Sequence, residues 1–139
     1  MKIDSGAIDT AMPPNIAYHF STVGTEASHN GPGFRAANGS PIKHYGQRTL
    51  RGVGDQYQPI RLTSQVADVK TTLGSVYQML KAGNRVHFEH GSCFIERIKS
   101  GKRTKIEEKD RTFEVGVWVP KSTMSHQQPL SFQRQGDRL

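Results

Sequence analysis

The chain has 139 residues, the size of one ordinary domain, with 34% hydrophobic residues, 22% charged residues and a formal net charge of +7. Its one cysteine, Cys93, excludes an intrachain disulfide and a cysteine-based zinc cluster, and it indicates a reducing compartment. No apolar run reaches the ~20 residues of a membrane-spanning helix, and no apolar signal-peptide core is visible. We therefore expect an intracellular, cytoplasmic protein without a membrane partner.

The first third of the chain is rich in turn signals. Ile3 suits the end of a short strand that leads into the run DSGA, and the pair Pro13-Pro14 ends any regular element. The composition of residues 21–33 predicts a loop. The dipeptide Asn38-Gly39 then predicts a hairpin with a two-residue tip, because both tip positions favour positive φ.

The middle of the chain predicts further strands and one helix. Residues 57–69 predict two short strands or one bent strand. Ser75 is a candidate N-cap for a helix that ends at Gly83, with apolar side chains at helical spacing between them. Turns at residues 90–92 and 100–101 separate the strands that follow.

The last part of the chain divides into a strand and a tail. Alternation over residues 113–119 predicts a strand with one apolar face, formed by Phe113, Val115, Val117 and Val119. Residues 120–139 are polar and lack periodicity, which predicts a tail or linker. We therefore expect one all-β domain over residues 1–119 and a polar C-terminal tail over residues 120–139.

The run Asp4-Ser5-Gly6-Ala7 has two interpretations. Asp-Ser-Gly is a good turn sequence by itself. An aspartate followed by a small residue and a glycine also suits general-base catalysis, because the backbone can turn sharply under the carboxylate. Two carboxylates held close together cannot both ionise easily, so one activates water while the other keeps its proton.

Three segments together resemble the retropepsin-like aspartic proteases encoded by LTR retrotransposons. They are DSGA at residues 4–7, AANGSPIKHYG at residues 36–46, and Leu73-Gly74 leading into SVYQML. The resemblance covers roughly residues 3–98. It implies a closed, barrel-like β domain with a flap hairpin and one short helix, which here would lack part of the family's N-terminal strand. It also implies an endopeptidase that processes a transposon polyprotein.

The resemblance implies a role for each matching residue. Asp4, Ser5 and Gly6 would form the catalytic loop, with Asp4 as the acid, Ser5 as a brace and Gly6 at the turn. Ala37, Asn38 and Gly39 would form the flap that contacts the substrate, and Ala7, Leu73 and Gly74 would support the active-site loop. In this family the strand after the motif is mostly apolar, whereas this chain has Asp9 and Thr10 there. No cofactor or metal is implied.

The chain contains one Asp-Ser-Gly, so a dyad requires a symmetric homodimer with Asp4 and its mate at the two-fold axis. The expected partners are therefore a second copy and a peptide or polyprotein substrate. A catalytically degenerate module for binding or dimerisation is the alternative, since only three residues precede Asp4. A basic nucleic-acid-binding module rests on net charge alone. The charged stretch 96–111 favours a solvated hairpin over such a patch, because its acids and bases are mixed.

The segment His87-Phe88-Glu89-His90 with Cys93 resembles a metal cluster in composition. His87 and His90 are three positions apart, and on a strand such side chains point to opposite faces, which is poor geometry for a shared metal ion. The pattern therefore favours ordinary strand and turn residues over a metal site. Cys93 itself is expected to be a buried thiol. Trp118 fits either a surface or an interface position, and the sequence does not choose between them.

Overall fold

A computed structural model of the chain describes residues 1–31, 33–36, 38–121 and 137–139. Strands dominate these residues, and the helices are two short segments, α1 (Glu26–Asn30) and α2 (Val76–Lys81). The described strands are β1 (Lys2–Asp4), β2 (Ala11–Met12), β3 (Thr22–Val23), β4 (Phe34–Arg35), β5 (Pro41–Ile42), β6 (His44–Val53), β7 (Pro59–Ala67), β8 (Leu73–Ser75), β9 (Asn84–His87), β10 (Phe94–Arg97), β11 (Arg103–Lys105), β12 (Glu107–Lys109), β13 (Thr112–Glu114), β14 (Trp118–Val119) and β15 (Asp137–Arg138). The all-β prediction is confirmed.

A ten-stranded mixed sheet forms the body of the molecule. Its order is β12-β13-β1-β8-β2-β7-β6-β14-β15, with β3 pairing on β6. β1 runs parallel to β8 and β2 runs parallel to β7, while the other pairs are antiparallel. β9, β10 and β11 form a separate three-stranded sheet, and β4 pairs with β5.

The sheet curls strongly but does not close. Five strands lie between β13 and β14, so a flat sheet would hold them about 29 Å apart. The chain joins Glu114 to Trp118 through only three residues, which reach at most about 14 Å. The described strands of the two sheet ends, β12 and β15, do not pair with each other. The expected closed barrel is therefore wrong, and β12, with its exposed side chains Glu107, Glu108 and Lys109, is a charged edge that disfavours further pairing.

The core has two clusters of buried side chains, and Leu62 of β7 packs against both. The first contains Met12, Ala17, Phe20, Leu50, Val66 and Val119. The second contains Met1, Ile106, Val115 and Val117, with Val86 and Ile95 from the smaller sheet and Cys93, just before β10, packed against it. The predicted apolar face over residues 113–119 is thus largely buried, although the strand is interrupted. Val115 donates its amide to the Met1 carbonyl, whereas β14 pairs with β6.

Arg48 in β6 fixes the turn-rich segment that follows β2. Its guanidinium is buried and donates to the carbonyls of Pro14 and Ile16 and to the hydroxyl of Thr22. Desolvation by burial lowers the pKa of Arg48. The side chain therefore replaces regular strand pairing for residues 14–22, where the two prolines prevent it.

Of the predictions for single segments, some are confirmed and others are wrong. The helix capped by Ser75 is confirmed, and residues 57–69 contain one strand, β7, over Pro59–Ala67. Residues 21–33, expected as a loop, contain α1, because Thr25 and Ser28 form a reciprocal capping box. In the predicted tail, residues 122–136 lie outside the described residues, and β15 pairs with β14.

Candidate active site

Asp4 lies at the end of β1, where the chain leaves the sheet. It is half-buried and stands opposite Ser75 in the parallel register with β8. The Gly6 amide donates to Asp4 Oδ1 at 2.8 Å, and Ser5 and Gly6 are exposed. A Cβ at Gly6 would lie 3.4 Å from Asp4 Oδ1, which is ordinary contact, so the amide is the feature that holds the carboxylate. Asp4 thus stands at the edge of the fold with one oxygen oriented by the backbone.

Ser75 braces the loop that carries Asp4. Its hydroxyl donates to the carbonyl of Ala7 at 2.7 Å and lies 3.2 Å from that of Ile8. The same oxygen accepts from the Gln78 amide and so caps α2. Ser75 is fully buried, and these contacts tie the loop to the start of the helix.

Two further polar residues continue this brace, and sequence analysis gave them no role. The Thr10 hydroxyl is buried and accepts from the Ser75 amide at 3.1 Å, while its carbonyl accepts from the Gln65 amide at 2.8 Å. Asp9 Oδ1 accepts from Gln78 Nε2 at 3.0 Å. The sequence signal for this role is the presence of two polar residues where the family resemblance implies an apolar strand. Both residues belong to the loop and not to the strand, because β2 begins only at Ala11.

β8 lies between the two strands that the Asp4 loop connects. Leu73 stands opposite Lys2 of β1 on one side and Ala11 of β2 on the other. Gly74 is buried opposite Ile3, and a Cβ there would come within 2.9 Å of the ends of two methionine side chains. The structure therefore brings Leu73 and Gly74 against the strand that ends at Asp4.

The predicted hairpin forms. Arg35 pairs with Pro41, the Ala36 amide donates to the Ser40 carbonyl, and the Gly39 amide donates to the Ala36 carbonyl. Gly39 has φ +84°, the left-handed conformation that favours glycine. Ala37 lies outside the described residues.

A cleft of about 260 Å³ connects the Asp4 loop with the base of the hairpin. Its lining includes Asp9 on the loop side, Gly33 and Phe34 on the hairpin side, and His44 and Gln65 on the sheet. His44 Nε2 lies 2.9 Å from Gln65 Oε1, and the rings of Phe34 and His44 are 4.8 Å apart. Asp4 is not part of the lining. Within the described residues, the cleft therefore meets the hairpin at its base, whereas no hydrogen bond joins Asp4 to Asn38 or Gly39.

A polar pair fixes the β6 end of the hairpin. The Tyr45 hydroxyl donates to Asp68 Oδ1 at 2.8 Å, and Lys43 Nζ lies 4.9 Å from the Tyr45 ring centroid. The hydrogen bond to the carboxylate raises the pKa of Tyr45, because loss of the phenol proton would place two negative charges side by side. These contacts hold the strand that leads out of the hairpin.

The described residues contain no group of three or more His, Cys, Asp and Glu side chains that could hold a metal ion. His87 contacts Glu89 Oε2 at 3.0 Å, and the half-buried Cys93 donates its thiol to the Glu89 carbonyl at 3.3 Å. Among the helices of the described chain, none has the length and apolar character needed to cross a bilayer.

Comparison of the chain with protein-family models, with curated proteins and with solved structures finds no match in any of the three.

Proposed function

We propose that the protein is an aspartic endopeptidase of the retropepsin type, active as a homodimer and acting on peptide or polyprotein chains of a retrotransposon. The observation that carries this proposal is the placement of Asp4 at the end of β1, with β8 inserted between β1 and β2. The loop between them is braced by Ser75 and presents the carboxylate at the edge of the sheet.

Each chain contributes one aspartate, so the reaction needs two copies. The ionised member of the Asp4 pair removes a proton from water, and the protonated member donates a hydrogen bond to the scissile carbonyl. The Gly6 amide stabilises the carboxylate by donating to Oδ1. Ser5 is exposed beside Asp4, where its hydroxyl can bridge to the facing loop of a second copy.

The cleft between Asp9 and the hairpin base supplies room for the substrate backbone. Its polar lining from His44, Gln47 and Gln65 can donate to and accept from an extended peptide. The hairpin tip at Asn38 and Gly39 then closes over the substrate chain. Gly39 is left-handed and has no side chain, so the backbone of the tip can come close to the substrate backbone.

The test is cleavage of a quenched fluorescent peptide library at mildly acid pH, where one carboxyl of the pair keeps its proton. Asp4→Asn is expected to abolish turnover while the chain stays folded. Asp110→Asn is the matched control: Asp110 lies in the turn before β13 with φ +51°, a conformation that asparagine tolerates. Equal activity in the wild type and Asp4→Asn would refute the proposal.

Mixing the two chains tests whether the site is shared. If copies exchange freely, an equal amount of Asp4→Asn leaves about half of the activity per wild-type chain, because half of its partners are inactive. Activity that stays proportional to wild-type chain contradicts a shared dyad. A dimer that forms in sedimentation but cleaves nothing favours the degenerate binding module.

A further inference from the structure

The three-stranded sheet has one face against the core and one face outward. Val86 and Ile95 pack into the second core cluster. Side chains alternate between the two faces along a strand, so the residues next to Val86 and Ile95 in each strand, and the residues paired with them, point outward. Six side chains share that outward face: Arg85, His87, Phe94, Glu96, Arg103 and Lys105. The face is therefore built from cations, one acid and flat rings.

Three flat groups stand in a row on this face. The rings of His87 and Phe94 are stacked, with centroids 4.7 Å apart and planes 20° from parallel. The Arg103 guanidinium lies 4.0 Å from the Phe94 ring centroid. Both faces of Phe94 are thus covered, by His87 from β9 and by Arg103 from β11. The His87 side chain is 39% exposed, and its outer plane, held by Phe94, offers a surface of the kind that stacks nucleobases irrespective of sequence.

The charge of this face is positive and ordered. Glu96 accepts from Arg85 at 2.8 Å and from Arg103 at 3.0 Å, so one carboxylate orients two guanidinium groups. Both arginine side chains remain about 60% exposed, at 62% and 60%. The outward face carries three cations, Arg85, Arg103 and Lys105, against one acid, Glu96, which is a net +2. The whole segment 84–105 contains six Lys and Arg against two Glu, a net +4 of the chain's +7.

A second aromatic site adjoins this face through Lys105. Lys105 also lines a cleft of about 410 Å³ that contains Trp118, with Arg138 and the acids Asp55 and Glu107 in the same lining. The Arg138 guanidinium lies 5.9 Å from the Trp118 ring, and the indole Nε1 donates to Asp55 Oδ1 at 3.3 Å. Asp55 and Arg138 thus orient the half-buried indole in a cleft that shares Lys105 with the outward face.

We propose that this surface binds single-stranded nucleic acid, with phosphates on Arg85, Arg103 and Lys105 and bases stacked on the outer plane of His87, which Phe94 holds in place, and at Trp118. Bases of a duplex are already stacked and cannot use these planes, which favours a single strand. The sequence favoured a solvated hairpin, because the charged stretch 96–111 mixes acids with bases and contains no aromatic residue; Phe94 precedes it and Phe113 follows it in the chain.

The mixing of rings and cations on this face becomes visible only in the register of the three strands. β10 carries Phe94 between His87 of β9 and Lys105 of β11. The rings and cations therefore interleave across strands and not along the sequence. An acidic protein would satisfy the arginines and leave the stacked planes without a use, so the nucleic acid is the partner that uses both features.

Trp118 makes the test direct, since it is the one tryptophan of the chain. Emission of the full-length protein is titrated with single-stranded oligouridylate and oligothymidylate, their duplexes, inorganic polyphosphate and phosphatidylserine vesicles. Single strands are expected to quench Trp118 and to bind more tightly than the other probes. Three phosphate contacts give a slope of log K against log salt of about −2.

Two substitutions and one control decide the outcome. Phe94→Leu removes the ring that holds the His87 plane and is expected to weaken binding about 5- to 100-fold, the range for loss of one stacked base. Arg103→Gln should reduce the salt slope by about 0.7, whereas Lys70→Gln, an exposed cation on another turn, should leave affinity for the single strand nearly unchanged.

Several results would overturn the proposal. Equal binding of polyphosphate or of anionic vesicles would show that the bases are not recognised. Wild-type affinity of a folded Phe94→Leu, checked by circular dichroism, would remove the stacking role. If Phe94→Leu does not fold, Arg103→Gln decides alone, and an unchanged salt slope then counts against the site.

Discussion

The Ser75 hydroxyl caps α2 and also holds the loop that follows Asp4, and its removal is expected to weaken both. In Ser75→Ala the N-cap of α2 is lost, because the Gln78 amide no longer has its acceptor at 3.2 Å. The Ala7 carbonyl also loses its donor at 2.7 Å. The backbone of β8 is expected to stay in place, since its pairing with β1 and β2 uses main-chain groups.

The two losses have different magnitudes. An N-cap serine replaced by alanine costs about 1 kcal/mol of unfolding free energy. A part-buried carbonyl left without a donor costs about 1–3 kcal/mol more. The sum, about 2–4 kcal/mol, is a large share of the ~5–15 kcal/mol that holds a typical domain together. For a chain of this size it corresponds to a fall in Tm of about 8–16 °C.

Urea unfolding followed by Trp118 emission and far-ultraviolet circular dichroism measures this loss. Thr25→Ala is the matched control, because it removes the cap of α1, a helix without buried residues, and leaves the hydrogen bonds of Ser75 to the Asp4 loop intact. Ser75→Thr retains a hydroxyl and is expected to recover part of the loss. If Ser75→Ala costs no more than Thr25→Ala, the bracing of the loop by Ser75 is refuted.

Three other predictions address the sheet, the turn-rich segment and the charged face. Arg48→Lys keeps the charge but loses the planar fork that serves two carbonyls and a hydroxyl, so we expect a loss of about 2–3 kcal/mol in urea unfolding. Gly52→Ala would drive a Cβ into the Trp118 carbonyl, and we expect a loss of about 1–3 kcal/mol with a shift in tryptophan emission. The hydrogen bond from Arg103 lowers the pKa of Glu96, so its contribution to stability is present above the ordinary carboxyl pKa and is lost as pH falls through the lowered value. A carbon-detected titration of Glu96 should show this low midpoint, and Arg103→Gln should raise it; an unchanged midpoint contradicts the pairing.

Features set by neighbouring residues could be predicted from the sequence. The cap at Ser75, the positive φ of Gly83 and the hairpin around Gly39 each depend on a few adjacent side chains. The contact of Leu73-Gly74 with the Asp4 strand was expected from the family resemblance, not from local pattern. Local chemistry thus predicts the turns, and the order of motifs in the family that the chain resembles predicts one long-range pairing.

Features that depend on distant strands could not be predicted. Arg48 looks like an ordinary strand cation, and only its burial against the carbonyls of residues 14 and 16 shows its role. The closed barrel failed for a similar reason. Three residues carry the chain from β13 to β14, and a sequence pattern cannot show whether the sheet ends also pair. Thr10 and Asp9 seemed misplaced because the length of the loop before β2 was unknown.

The Asp4 loop and the outward face with Phe94 and Arg103 lie on different sheets, and this makes them separable, although Trp118 in β14 belongs to the larger sheet. Asp4 and its brace belong to the ten-stranded sheet, whereas Phe94 and Arg103 belong to the three-stranded sheet. The smaller sheet meets the larger one through Val86 and Ile95 on its inner face, the side away from the stacked row. Substitutions on the outward face should therefore leave the Asp4 loop in place. A variant that loses both activities would indicate loss of the shared core, and one that loses a single activity would assign it to its own sheet.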